Sequence, residues 1–288
     1  MQQRLETFLG CGDSYEESPI VIFGAPFDST TSYRPGTRFA SKVMRSESYG
    51  LETYSPSLDL DLDDESIKIF DAGDLELPFG NTERSLQMIE ANFEEILKDR
   101  KIPFMLGGEH LVTLAGIRAV KKFFDDVSII HFDAHTDLRE DYLGEKLSHA
   151  CVIRRAWDLV GDGRIYQFGI RSGLREEFEF AREHTFLQKF TFEHLDEVVS
   201  KLRGRKVYFT IDLDVLDPSV FPGTGTPEAG GVSFVELLRA SMLVVQNLDV
   251  IACDLVELSP PYDPSGISTA TALKIFREML LAISARNL

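Results

Sequence analysis

Three features of the chain predict an α/β fold: a single three-layer domain in which a mainly parallel central sheet of about eight strands is flanked by helices. Short apolar runs of the buried-strand type alternate with segments whose apolar residues recur at helical spacing. Several of those runs lead straight into histidines and carboxylates, and in doubly wound sheets ligands collect outside the carboxyl ends of the strands. With 288 residues, 43% of them hydrophobic, and no composition shift, low-complexity linker or internal repeat, residues 1–288 read as one domain with a sizeable core.

Taken in order, residues 1–18 are acidic and irregular and read as a surface arm. Residues 19–24 form the first strand, ended by Gly24-Ala25-Pro26. Residues 25–41, rich in turn formers and hydroxyls, read as a long loop, and loops of that length are often functional. Alternating Leu and Asp over 58–64 lacks an accompanying histidine and reads as a half-exposed edge segment. Residues 67–72 are the second strand, with Asp71 and Asp74 flanking Gly73 at its end, where a turn role is favoured over lining the rim. Thr82 is placed to cap a helix over 83–100, in which Leu86, Ile89, Phe93, Ile96 and Leu97 follow helical spacing. Residues 102–106 form the third strand, and the pair Gly107-Gly108 allows a tight turn into a helix near 111–123, putting His110 at the strand's carboxyl end. The strand that starts at Val127 runs into Asp133-Ala134-His135-Thr136-Asp137. Further strands read at 164–169, 186–190, 207–211 and 250–255, with helices over 151–159, 176–183, 192–202, 234–245 and 268–283.

Bulk charge narrows the partners. Against 30 Lys and Arg stand 47 Asp and Glu, a formal charge of −17, which argues against nucleic acid and anionic membrane and suits cationic ligands. Cys11, Cys151 and Cys253 are far apart and in no Cys-x-x-Cys spacing, so neither a disulfide framework nor a thiolate zinc site is expected, and a reducing cytoplasm fits. The N-terminal stretch lacks an apolar signal-like core, and no apolar run reaches membrane-spanning length.

The chemistry is expected where the apolar runs end. Alternation along an extended chain would point Asp133, His135 and Asp137 to one side, and likewise Asp212 and Asp214. With His110 this makes two imidazoles and four carboxylates, which would repel one another unless cations neutralised them. Two divalent ions would balance four carboxylates, and oxygen-dominated ligation without thiolate suits Mn²⁺, with Zn²⁺, Co²⁺ and Fe²⁺ as alternatives. Paired ions activate a bridging water, so the implied reaction class is metal-assisted hydrolysis. His149 suits a proton relay, its alternative being a capping or surface histidine. Glu257 suits a bidentate hold on a guanidinium, its alternative being a solvated carboxylate at a loop start. Asp254, Asp217 and Glu228 are of kinds that turns use routinely, and His131, His184 and His194 lack companions and read as structural or exposed.

These motifs resemble the ureohydrolase family of arginases and agmatinases from about residue 20 to the C-terminus. The resemblance is carried by Gly107-Gly108-Glu109-His110, Asp133-Ala-His135-Thr-Asp137, Ser148-His149, Asp212-Leu-Asp214-x-x-Asp217-Pro218 and the run from Gly223 to Gly231. It implies an arginase-like fold and two Mn²⁺ per chain. His110, Asp133, Asp137 and Asp212 would bind one ion, and His135 and Asp214 would complete the other, with Asp133 and Asp212 bridging. It implies attack of a hydroxide bridging the two ions on a guanidinium carbon. Asp137 would bond that hydroxide, His149 would relay a proton to the leaving amine and Glu257 would orient the guanidinium. A small cationic guanidino substrate and a homo-oligomer, trimer or hexamer, are implied as well.

Within the family the chain is most similar to agmatinases, in residues 24–38, in 143–149 and in Gly225-Thr-Pro-Glu228. The acidic character of Leu138-Arg139-Glu140-Asp141-Tyr142 is expected to receive a distal amine rather than a carboxylate. The chain departs from the family in having Ala150 where glycine commonly follows the loop histidine. The resemblance therefore implies hydrolysis of agmatine to putrescine and urea. The alternatives are guanidinobutyrate, arginine or formiminoglutamate at the same site, a two-metal phosphoesterase, or a non-catalytic metal-binding protein.

Overall fold

A computed structural model of the protein describes residues 6–286. In chain order the elements are β1 (Ile20–Gly24), α1 (Ala40–Ser48), β2 (Tyr54–Ser55), β3 (Leu60–Asp61), β4 (Ile69–Asp74), α2 (Thr82–Lys98), β5 (Ile102–Leu106), α3 (Thr113–Phe123) and β6 (Val127–Phe132). They continue with α4 (Val152–Val160), β7 (Ile165–Ile170), α5 (Arg175–His184), β8 (Phe186–Lys189), α6 (Leu195–Leu202), β9 (Lys206–Asp212), α7 (Phe234–Asn247), β10 (Asp249–Val256) and α8 (Ile267–Ala285). Eight strands form one sheet in the order β4-β1-β5-β10-β9-β6-β7-β8. Every neighbouring pair in it is parallel. The short β2–β3 ladder, antiparallel and separate, takes up the Leu/Asp segment.

Strand alternation splits the core into two layers. On one face Val21, Phe23, Met105, Ile129 and Tyr208 pack against α2, α3 and α4; on the other Ile20, Ile22, Phe104, Phe132 and Phe209 pack against α6, α7 and α8. Strands buried on both faces must be apolar throughout, which is why they read as continuous runs. Among the described residues no helix is long and apolar enough to cross a membrane.

Three expectations need correction or extension. Of the supposed surface arm, residues 1–5 lie outside the described residues, and the rest is anchored. Phe8 and Cys11 are fully buried, Phe8 lies edge-on to Phe276 at 4.8 Å, and its amide donates to Asp71 at 2.8 Å. Two apolar side chains are enough to dock a segment whose average composition is acidic. Asp71 keeps the expected turn bond, accepting from the Gly73 amide at 3.0 Å, and is in addition a buried partner of Arg45, at 2.8 Å. That arginine lies on α1, a helix absent from the sequence reading because its inward stripe, Ala40, Ser41, Met44, Arg45 and Ser48, is mostly small or polar. The cap of α2 is Asn81, accepting from the Arg84 amide, rather than Thr82.

Truncating the buried ring tests the first correction. Phe8→Ala should lower stability by about 3 kcal/mol in urea unfolding. A change below about 0.5 kcal/mol, typical of surface positions, would return this segment to the status of an arm.

Candidate metal centre

Between β5 and β6 the chain passes over two strand positions, later filled by β10 and β9. The four central strands therefore end side by side, at the crossing point where doubly wound sheets bind ligands. His110 follows β5, Glu257 follows β10, Asp212 ends β9 and Asp133 follows β6. Gly107 and Gly108 serve close approach rather than unusual backbone angles. A Cβ on Gly108 would fall 1.9 Å from the Phe27 carbonyl oxygen, and one on Gly107 would fall 2.4 Å from Val256.

The donors converge, but not through strand alternation. β6 ends at Phe132. The Asp133 carboxylate then accepts from the His135 amide at 2.6 Å, and Asp137 sits at φ 51°, so the chain curls back on itself. Asp212 does the same, accepting from the Asp214 amide at 2.8 Å as a short 3₁₀ turn begins. In each motif the first aspartate folds the backbone that carries the next ligand.

His110 Nδ1 lies 3.0 Å from Asp133 Oδ2 and 3.2 Å from the Oδ2 atoms of Asp137 and Asp212. His135 Nδ1 lies 3.1 Å from Asp214 Oδ2 and 3.4 Å from Asp133 Oδ1. Two groupings result, His110 with His131, Asp133 and Asp137, and Asp133 with His135 and Asp214, each with its ligand atoms within 4.8 Å of one another. The structure thus brings the six expected donors together. It adds His131, expected to be without companions: fully buried, it holds Asp133 Oδ2 at 2.7 Å. Its position two residues before Asp133 in a strand is a signal the sequence did contain.

The arrangement fits cations rather than internal pairing. His110 Nδ1 is buried and makes no hydrogen bond, although three carboxylate oxygens surround it. Burial, with the neighbouring Asp214 and Asp133 charges, pushes the Asp212 carboxyl well up, and burial with Asp133 raises Asp137 to about 7. Both His110 and His135 hold their protons far above the usual range, the surrounding carboxylates outweighing burial. Burial would also raise Asp133, but the charge of His131 and the close ring nitrogens of His110, His131 and His135 hold it low. A cluster that draws in protons this strongly carries the negative charge that divalent ions would satisfy.

Around it stand the other two candidates. His149 Nδ1 lies 3.0 Å from the Thr30 carbonyl and so donates to it, leaving Nε2 beside the Ser32 hydroxyl at 3.0 Å. Burial lowers its pKa to about 4, so the ring is neutral at physiological pH. Glu109, itself raised by burial to about 7, accepts from the Thr30 amide and from the hydroxyls of Thr30 and Thr31, fastening the 25–41 loop that holds His149. Glu257 is buried, with φ 65°, and accepts from the His110 amide at 2.8 Å, which excludes the solvated alternative. Burial and the charges of Asp214 and Glu109 push its carboxyl well up, leaving it short of a cation.

A cleft of roughly 280 Å³ opens onto His135, Asp137, Arg139, Tyr142, His149 and Thr226. Glu140 and Asp141 do not line it. Glu140 is half exposed and paired with Arg154 at 2.8 Å, while Asp141 accepts from the Gly144 amide at 2.9 Å. The expected reception of a distal amine by these two acids is therefore not what the fold provides: nearby cations and a turn amide occupy them. Asp217 is a turn residue, accepting from the amides of Ser219, Gly230 and Gly231. Sequence reasoning missed Arg171, whose guanidinium donates to the carbonyls of Asp214, Val215, Leu216 and Glu228 and braces the turn bearing Asp214. No residue pattern announces an arginine whose partners are all backbone.

The comparisons agree with this geometry. The model of the arginase family matches residues 18–282. The agmatinase of Bacillus anthracis is 52% identical over 279 residues, 96% of this chain and 96% of that protein. The agmatinase of Bacillus subtilis strain 168 is 51% identical over the same shares of both chains. A solved structure of a candidate agmatinase from Clostridium difficile is 54% identical with a TM-score of 0.92, covering 96% of this chain and 100% of that one.

Protons and cations compete for the same carboxylates, so Mn²⁺ affinity should fall as pH drops below about 7, where Asp137 takes up its proton. The expected slope in calorimetric titrations from pH 8 to pH 6 is roughly tenfold per unit for each proton displaced. A flat profile would mean that these carboxylates are not the ligands.

Proposed function

We propose that this chain, which belongs to the arginase family, hydrolyses agmatine to putrescine and urea, cleaving a C–N bond of a linear amidine. The observation that carries the reading is the convergence of His110, Asp133, His135, Asp137, Asp212 and Asp214 at one group of strand ends, beside a cleft that His135, Asp137 and His149 line, with Glu257 bonded to the His110 amide.

Two Mn²⁺ per chain are part of the proposal. His110, Asp133, Asp137 and Asp212 would hold one, and His135 and Asp214 would complete the other, with Asp133 and Asp212 shared. When bound, the ions supply a water made nucleophilic at neutral pH and polarise the bond under attack. The carboxylate-rich set favours Mn²⁺ over Zn²⁺, Co²⁺ or Fe²⁺.

The residues do the rest. Glu257, buried and lacking a cation, takes the guanidinium and turns its central carbon toward the donor cluster. Asp137 accepts a hydrogen bond from the attacking water and fixes its direction. His149 stays neutral, so its Nε2 can receive a proton and pass it to the departing amine. The loop fastened by Glu109 keeps that ring at the cleft wall. The formal charge of −17 favours approach of a cationic substrate and disfavours nucleic acid and anionic membrane. Residence in the cytoplasm suits three free, buried cysteines, and assembly into a trimer or hexamer completes the reading.

Urea release across agmatine, guanidinobutyrate, arginine and formiminoglutamate, with and without Mn²⁺, should be greatest for agmatine with the metal. Faster release from another guanidino compound would replace the substrate, and no urea from any of them would end the reading in favour of a two-metal phosphoesterase or a non-catalytic metal protein. His149→Ala should lower turnover roughly 10²–10⁴-fold while metal content stays near two ions. Asp212→Ala should instead lose metal; a reversal of these two results would exchange the assigned roles.

A further inference from the structure

Asp254, on β10, is a fully buried carboxylate that the reaction does not use. Its partners are three hydroxyls: Thr210 Oγ1 at 2.6 Å on its Oδ1, and Tyr208 Oη at 2.6 Å and Thr113 Oγ1 at 2.9 Å on its Oδ2. Tyr208 and Thr210 stand on the face of β9 covered by α3, Thr113 is the first residue of α3 itself, and the fit is tight. A Cβ added to Gly116 of α3 would fall 2.2 Å from the Tyr208 oxygen, so the helix lies directly on the phenol.

The hydrogen inventory sets a direction. A hydroxyl has one hydrogen, and Thr210 commits its own to Asp254. Toward His110 Nε2, 3.0 Å away, the Thr210 oxygen can therefore only accept, and Nε2 must carry the ring proton. In the neutral imidazole Nδ1 is then the lone pair, and Nδ1 is the atom ringed by Asp133, Asp137 and Asp212 without a hydrogen bond of its own. Were Thr210 free to turn, it could donate to Nε2, and the ring would present N–H where a ligand lone pair is needed.

We propose that Asp254 is a positioning residue that holds His110, through the Thr210 hydroxyl, in the tautomer presenting Nδ1 to a metal ion, with Tyr208 and Thr113 fixing the carboxylate. The proposal rests on the reading of the cluster as a metal centre. Histidine ligands commonly donate their far N–H to a carboxylate or carbonyl, and loss of such a partner weakens metal binding roughly 10–100-fold. Here a hydroxyl relays the acceptor, so Thr210 carries the direction and Asp254 imposes it.

The test uses the full chain loaded with Mn²⁺ and challenged with graded chelator, released Mn²⁺ being read by electron paramagnetic resonance. In parallel, ¹⁵N spectra of the metal-stripped, histidine-labelled chain, recorded at a pH above the raised titration of His110 so that the ring is neutral, report its tautomer. Thr210→Val, which removes the acceptor, and Asp254→Leu, which removes the carboxylate and frees Thr210 to turn, should each release one of two ions at roughly 10–100-fold lower chelator. Each should also lose the Nε2–H signature of His110. Thr210→Ser keeps the hydroxyl and should restore both readouts. Wild-type retention and an unchanged tautomer in Thr210→Val and Asp254→Leu would overturn the proposal. Should Asp254→Leu fail to fold, as thermal melting would reveal, the valine and serine variants decide by themselves. If the wild-type chain binds no Mn²⁺, the metal-centre reading fails instead.

Discussion

Carboxylate charge held below solvent at the ends of four neighbouring strands is the constraint on which the rest of the structure depends. Asp133, Asp137, Asp212 and Asp214 are all buried, and their nearest basic partners are three histidines, His110, His131 and His135, that must be protonated to help. Isolated charges in such a place are expensive, so the site is stable only with protons or metal ions among the carboxylates. What surrounds it reads as support for that condition. Arg171 ties the carbonyls behind Asp214, Glu257 takes the amide that begins the His110 turn, and His131 faces the back of Asp133.

Topology makes this crowding affordable. In a parallel sheet all strands deliver their carboxyl ends to one rim, and strands inserted late in the chain can lie between earlier ones. β10 and β9 separate β5 from β6, so His110 and Asp133 come from strands that are not neighbours, and the gap between them is closed by Asp212 and Glu257. A site expected from three strand ends is built from four. Glu257, expected only as a grip on substrate, is therefore also structural: its bond to the His110 amide spans 147 residues of sequence.

The sequence made the sheet and the ligands legible for the same reason. Strands buried on both faces read as apolar runs, and Asp-x-His-x-Asp or Asp-x-Asp placed directly after such a run has no packing role. What it hid was how the spacing works. Each motif curls, through its first aspartate's bond to the backbone two residues on, instead of extending, and only the left-handed angle at Asp137 betrays this. Other features were hidden because their partners are remote or are backbone. Phe8 finds Phe276 across the whole chain, the inward side of α1 is polar because Arg45 meets Asp71, and Glu140 looked available until Arg154 and Lys146 came beside it. Charge in a sequence counts groups and says nothing of which are already matched.

That distinction separates the buried carboxylates of this fold into kinds with different consequences. Asp71 has Arg45, Glu278 has Arg277, and Glu177 accepts from the Thr136 hydroxyl and the Leu138 and Leu174 amides; each is matched by groups that the fold itself brings. Asp254 is matched by hydroxyls alone, which stabilise a carboxylate without neutralising it and leave it able to order the hydrogens around it. Asp137, Asp212 and Glu257 are matched by too little of either, and burial pushes all three carboxyls up. Groups left short of counter-charge at the open end of a sheet, beside a cleft, are where a ligand's charge is needed to complete the structure. By that criterion, and on the function proposed, the aspartate cluster and Glu257 would form one functional unit, divided only by what would complete each part: metal ions for the aspartates and a guanidinium for the glutamate.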